Sequence, residues 1–248
     1  MIHDRTYDAI VIGAGHAGTE ASLAIARAGY QVLFLTMNLD SICQMSCNPA
    51  IGGLAKGHVV REIDALGGEM GLAIDHTALQ FRMLNKSKGP AVWAPRAQAD
   101  KKDYQRYMKR AVEREPNIDL KQDQAVELLV ESSRAVGVRT LMGVEYRASV
   151  TILTTGTFMR GLIHVGDVNF PGGRGGDPAS VGLSDSLKQH GFEVVRFKTG
   201  TPPRLRKKSI NFSLCEEQPG DPDPEPFSYR TGKLKLQQLS CWHTHTNE

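Results

Sequence analysis

Apolar positions along this chain fall into short runs and periodic stretches that alternate between strand and helix. Tyr7-Asp8-Ala9-Ile10-Val11-Ile12 reads as a buried parallel strand. The stretch Ala17–Ala28 is rich in Ala, Leu and Ile, with Gly29 placed to stop a helix, and Gln31–Leu35 reads as a second strand. Leu54–Leu66 reads as a helix closed by Gly67-Gly68. Lys101–Glu115 reads as another, capped by Asp100, ended by Pro116, with Tyr104, Tyr107, Met108, Ala111 and Val112 on its inner face.

The downstream pattern changes period. Ala125–Val130, Ala135–Thr140 and Val144–Arg147 read as a short antiparallel meander, with Ser132-Ser133-Arg134 and Met142-Gly143 as turns. Ser149–Gly156 reads as an apolar strand ending at a glycine. Ser180 is placed to cap a helix running to His190, and Phe192–Phe197 reads as a further strand. In Cys241-Trp242-His243-Thr244-His245 the C-x-H-x-H spacing matches no common zinc pattern, and alternation suits a strand better, so no metal site is expected.

Between the first strand and helix lie Gly13, Ala14, Gly15, His16, Ala17 and Gly18, with glycines in the spacing of a dinucleotide fingerprint. The first glycine permits the tight turn, the second lets backbone approach a pyrophosphate, and the third lets helix lie close to strand. The helix N-terminus adds free N–H groups and partial positive charge. A standard NAD site also wants an acid at the end of the second strand. Here the strand runs into Thr36-Met37-Asn38-Leu39-Asp40, which leaves the ribose contact open. The meander followed by a strand ending in Thr155-Gly156 is the sequel expected of an α/β, glutathione-reductase-type FAD-binding Rossmann domain. FAD therefore outranks NAD.

Composition changes this picture little. The 248 residues suffice for one large domain or two smaller ones, and the apolar and charged fractions are ordinary for a soluble protein. No apolar run nears 18 residues and no signal peptide is indicated, so no membrane role is expected. Cys43, Cys47, Cys215 and Cys241 do not look like a disulfide framework, and a reducing cytoplasm is the default. Net charge is only +3, so binding to a nucleic acid must come from local patches. One such patch runs from Arg82 to Arg114, with ten cations against three acids; a solvated surface is its simplest reading and an anionic partner the sharper one. Another comprises Arg196, Lys198, Arg204, Arg206, Lys207 and Lys208 around the stiff Pro202-Pro203. The five acids between Glu216 and Glu225 lie in a Pro-rich loop that can shield those cations, with nucleic-acid phosphate as the competing partner.

Cys43-Gln44-Met45-Ser46-Cys47-Asn48-Pro49-Ala50-Ile51-Gly52-Gly53 follows the second strand, in the region that leads toward the reactive end of a long cofactor. A thiolate near a helix N-terminus is stabilised by the dipole. Cys43 fits a small buried hydrophobe better than a reactive group, whereas Cys47, beside Asn-Pro and a double glycine, fits chemistry.

Several segments together resemble one family, the tRNA uridine 5-carboxymethylaminomethyl modification flavoenzymes (MnmG, also called GidA). They are Gly13–Glu20, Met45–Gly53, Lys88–Val92, Arg96–Asp100, Lys198–Arg204 and Thr244–Glu248. The resemblance implies a homodimeric, cytoplasmic FAD enzyme acting on the wobble uridine of tRNA with a partner GTPase (the MnmE family). It also implies a one-carbon unit from methylene-tetrahydrofolate, glycine or ammonium as nitrogen source, and NADH as reductant of the flavin. By the same resemblance Gly13–Gly18, Val126 and Ser180 contact FAD and Cys47 is essential, as nucleophile or as acid/base group. Family members are more than twice this length, so residues 1–198 are expected to be the FAD-binding domain and 199–248 the start of an inserted second domain. The C-terminal helical region, a second important cysteine and the segment completing the flavin pocket are then missing, and weak FAD retention is expected. A flavin disulfide oxidoreductase using Cys43 and Cys47 is the alternative, although C-x3-C departs from the C-x4-C of those enzymes. A module that uses FAD structurally is the third reading.

Overall fold

The computed structural model describes residues 1–246; Asn247 and Glu248, the end of the Thr244–Glu248 segment, lie outside the described residues. The elements are β1 (Ile2–Ile12), α1 (His16–Arg27), β2 (Val32–Thr36), β3 (Ala50–Gly52), α2 (Lys56–Ala65) and α3 (Met70–Thr77). Then come β4 (Ala78–Leu84), β5 (Ala94–Ala99), α4 (Lys101–Glu113), β6 (Ile118–Gln122), β7 (Ala125–Glu131) and β8 (Arg134–Thr140). The chain closes with β9 (Glu145–Leu153), β10 (Leu162–Val165), β11 (Val168–Pro171), α5 (Leu183–Gln189), β12 (Glu216–Gln218) and β13 (Cys241–His243). They form two compact units, residues 1–44 with 108–198, and residues 45–107 with 199–248.

The first unit is built on a six-stranded sheet in the order β6-β2-β1-β9-β8-β7. β6, β2, β1 and β9 run parallel, and β8 and β7 add antiparallel at the β9 edge. The apolar run of β1 is buried because neighbours pair on both its edges, and Ile10 and Val11 have no exposure. Alternate residues of β1, β2, β7, β8 and β9 (Ile10, Leu33, Leu128, Val138 and Tyr146 among them) form a core with Leu183 of α5. α1 faces the sheet with small side chains, burying Gly18, Thr19, Ser22, Leu23 and Ala26, which allows a close approach. This is the expected α/β Rossmann architecture of the glutathione-reductase kind.

Three local expectations for this unit are corrected. The third meander strand and the strand leading to Gly156 are one continuous β9, whose two edges pair antiparallel with β8 and parallel with β1. Ser180 does not cap a helix: α5 begins at Leu183 after Gly182, whose φ of 107° turns the chain in the left-handed region. Phe192–Phe197 is irregular and largely exposed, and no described strand pairs with it, so its alternation has no sheet to serve.

The second unit carries the antiparallel sheet β3-β5-β4 and the pair β12-β13. Phe227, fully buried, packs on Phe81 with ring centroids 6.2 Å apart. Two buried aspartates clamp the strap around it. Asp75 accepts from the main-chain N–H groups of Phe227 and Ser228 at 2.8 and 2.9 Å. Asp64 accepts from Tyr229 N–H at 2.9 Å and from the Arg230 guanidinium at 2.8 Å. Gly71 leaves room for that carboxylate, since an added Cβ would lie 2.8 Å from Asp64 Oδ1.

Candidate functional site

The glycine turn is held by direct main-chain packing. Gly13 has φ +100°, and a Cβ there would collide with the carbonyl of Thr154 at the end of β9. At Gly18 a Cβ would collide with the Gly13 carbonyl oxygen and lie 2.6 Å from Thr154 Oγ1. The Thr154 hydroxyl donates to the Ile12 and Gly13 carbonyls at 2.8 and 2.9 Å, so β9 braces the turn. Gly15 differs. It is the N-cap of α1, with φ −78° that any residue adopts and no side-chain cap, and an added Cβ would meet nothing within 4 Å. The position assigned to pyrophosphate approach thus faces open space, which fits a dinucleotide seated on the α1 N-terminus. Burial lowers the pKa of His16, favouring a neutral imidazole there.

The other residues expected at the cofactor lie in the same unit. Gly156 follows two residues after the bracing Thr154 and also has open space where a Cβ would be. Ser180 is buried; its N–H donates to Phe158 at 2.7 Å and its carbonyl accepts from Arg160 N–H at 2.8 Å. The 154–160 segment therefore links the glycine turn to Ser180. Val126 on β7 packs against Gly182, where an added Cβ would lie 2.9 Å from the Val126 carbonyl oxygen. Ala14 accepts from Cys43 N–H at 2.9 Å, and Ala17 is exposed on the first turn of α1. Asp40, the acid that follows β2 in sequence, is engaged with Lys109 at 2.7 Å, and that cation lowers its pKa.

The two cysteines of the post-strand loop part in character. Cys43 is fully buried, its thiol donates to Thr19 Oγ1 at 3.2 Å, and burial pushes its pKa up to about 12. Cys47 is half-buried, and its thiol donates to the Gly200 carbonyl at 3.4 Å. Its own carbonyl accepts from the Arg204 guanidinium. The structure thus brings together the expected reactive cysteine and the Thr199–Arg204 segment, a meeting that no spacing in the sequence announces. Cys47 is not at a helix N-terminus, because β3 intervenes before α2 begins at Lys56. β3 is stitched to β5, and Pro49 accepts from Ala99 N–H at 2.7 Å, which fixes the loop at its far end.

Lys198 is exposed at the end of the first unit, and Arg204, Arg206, Lys207 and Lys208 are exposed in the second. The acidic stretch does not shield them. Asp221 pairs with Lys86 at 2.9 Å and Glu225 with Arg61 at 3.3 Å, while Glu216 and Glu217 lie on β12. Among the described residues none of Lys198, Arg206, Lys207 and Lys208 joins an ion pair, and no cluster of side chains is arranged to hold a metal ion. No helix among them is long and apolar enough to cross a membrane.

A β-α-β unit closed by β9 and a meander, with a braced glycine turn open at Gly15, defines a Rossmann-type nucleotide-binding protein. The chain belongs to the family described as Glucose inhibited division protein A, whose sequence model matches residues 8–248. It is 58% identical, over 98% of its length, to the tRNA uridine 5-carboxymethylaminomethyl modification enzyme MnmG of Protochlamydia amoebophila. The crystal form I structure of Aquifex aeolicus GidA superposes with a TM-score of 0.93 at 53% identity, over 96% of this chain and 41% of that one. The GidA-related protein of Thermus thermophilus, 24% identical with a TM-score of 0.57, shares the fold over 77% of this chain and 71% of that one. The chain spans about two fifths of the length of the curated relatives it matches, 39% of the Protochlamydia protein.

Proposed function

We propose that this chain forms the FAD-binding and cysteine-bearing part of a tRNA-modifying flavoenzyme. That enzyme builds the 5-carboxymethylaminomethyl or aminomethyl group of the wobble uridine. The observation that carries the reading is the seat of Cys47, a half-buried thiol held against Gly200 while Arg204 grips its main chain. A thiol so placed joins the candidate reactive atom to a basic segment suited to phosphates, in a chain more than half identical to proteins named for this modification.

In this reading Gly13–Gly18, Val126, Gly156 and Ser180 would hold FAD, the open space at Gly15 leaving room for its pyrophosphate. Bound there, the flavin supplies redox chemistry that no side chain can. Cys47 acts at the pyrimidine as nucleophile or as acid/base group, while Lys198, Arg204, Arg206, Lys207 and Lys208 bind tRNA phosphates. Methylene-tetrahydrofolate supplies the one-carbon unit and NADH the electrons. The enzyme works as a cytoplasmic homodimer with a partner GTPase, residues 199–248 opening its inserted second domain. The buried thiol of Cys43 weighs against a Cys43/Cys47 dithiol oxidoreductase, because thiolate is suppressed there at neutral pH. Mass analysis of tRNA from cells lacking the full-length protein tests the proposal. Wobble uridine without its C5 substituent is expected, and unchanged modification would refute it.

A further inference from the structure

Arg82 and Arg96 stand directly opposite one another on antiparallel β4 and β5. Opposed residues share one face of a sheet with Cβ atoms about 4.5–5.5 Å apart, and like charges so placed repel. Both side chains are half-buried, and among the described residues neither guanidinium has an ion-pair or side-chain hydrogen-bond partner. The nearest acids are already used. Asp221 and Glu225 line the same small pocket as Arg82, but Asp221 is held by Lys86 and Met83 N–H, and Glu225 by Arg61. Asp223, also in that lining, is not within ion-pair distance of Arg82. Arg96 in addition faces Gly52 on β3, and a Cβ on Gly53 would lie 3.9 Å from its Nη1. Its guanidinium therefore lies beside Gly53, just past β3, the strand into which the Cys47 loop runs.

We propose that Arg82 and Arg96 form a phosphate-binding site that holds one backbone phosphodiester of the RNA whose base is presented to Cys47. This deepens, and rests on, the tRNA-modifying reading above. A phosphate accepts from two guanidinium forks at once and removes their mutual repulsion, which a neutral ligand does not. Arg204 reaches Cys47 before β3, and Arg96 lies beside Gly53 just past it, six residues further along the chain. A nucleotide at that loop carries a phosphate on each side, so two separated arginine contacts suit its flanking phosphates.

The test uses the full-length protein and a fluorescently labelled anticodon stem-loop RNA, with binding followed across a range of KCl concentrations. Arg82→Gln and Arg96→Gln are each expected to weaken binding about five- to ten-fold and to lower the log–log salt slope by about 0.7–0.9. Thermal melting of the free variants should match or exceed the wild type, since substitution relieves the repulsion; a merely structural pair would melt earlier. Wild-type protein that binds while both variants keep its salt slope overturns the site. Inorganic phosphate that raises the Tm of wild type but not of Arg96→Gln, with the RNA slopes equal, assigns the site to a free anion and overturns the RNA assignment. Wild-type protein that binds no RNA refutes the tRNA reading itself, which is a different failure.

Discussion

The guanidinium of Arg204 donates to the main-chain oxygen of Cys47, tying two residues 157 positions apart in the chain. The Cys47 thiol is in turn held by Gly200, so the Thr199–Arg204 segment covers and orients the cysteine. Arg204→Ala removes one of the two ties. Alkylation of Cys47 by iodoacetamide is expected to speed up several-fold in this variant, read by mass spectrometry of the peptide. An unchanged rate would mean that Arg204 does not hold the loop.

The glycine turn separates packing from ligand binding. Gly18→Ala forces a methyl into the Gly13 carbonyl and toward Thr154, so destabilisation of about 2–4 kcal/mol is expected. Gly15→Ala meets nothing within 4 Å and keeps an ordinary φ. It should melt like the wild type and, in the full-length protein, purify with little flavin. Equal flavin content in Gly15→Ala and wild type would show that nothing approaches Gly15.

Cys43 gives an alkaline signature. Burial raises its pKa from an ordinary 9.0 to about 12, so the folded state favours the neutral thiol. Its contribution is fully present below pH 9 and is lost as pH rises toward 12, by at most about 4 kcal/mol at 1.36 kcal/mol per unit. Tyr7 and Tyr146, also raised chiefly by burial, lose stability in the same direction. The difference in unfolding free energy between wild type and Cys43→Ala isolates the thiol and should narrow above pH 9. A constant difference across that range would contradict the burial.

Asp64 has a fully buried carboxylate that anchors Arg230 and the Tyr229 main chain. Removing it leaves the part-buried Tyr229 N–H without its acceptor and takes the ion-pair partner from a guanidinium that keeps its bond to the Gly68 carbonyl, and Asp64→Ala should cost about 1–3 kcal/mol in a denaturant melt. The hydrogen bonds from Arg230, Ser228 and Tyr229 outweigh desolvation and hold the Asp64 pKa below its ordinary 3.8. Its contribution is therefore present above that value and fades as pH falls below it, so the variant and wild type should converge in acid.

The first unit was largely legible because its signals are local. β1, the glycine spacing, α1 and β2 each announce themselves by period and by Gly29. α4, which begins in the second unit, is announced as locally by its capping Asp100, whose carboxylate accepts from Lys102 and Asp103 N–H at 2.9 and 3.0 Å. The second unit was mostly illegible, since its bonds join distant segments. β3 has three residues and exists by pairing with β5, and the Asp64 and Asp75 clamps meet residues more than 150 positions away. α3 is short, carries Gly71 and lacks a side-chain cap, so nothing local marks it. The residues that seat Cys47 were singled out as types, but their meeting is a product of tertiary pairing.

The most direct measurement is wobble-uridine modification in cells whose only copy of the full-length protein carries Cys47→Ala or Cys43→Ala, with flavin content determined on each purified protein. Cys47→Ala is expected to retain flavin and to accumulate unmodified uridine, while Cys43→Ala leaves modification intact. Full modification in the Cys47→Ala cells would contradict the placement of the chemistry at that thiol.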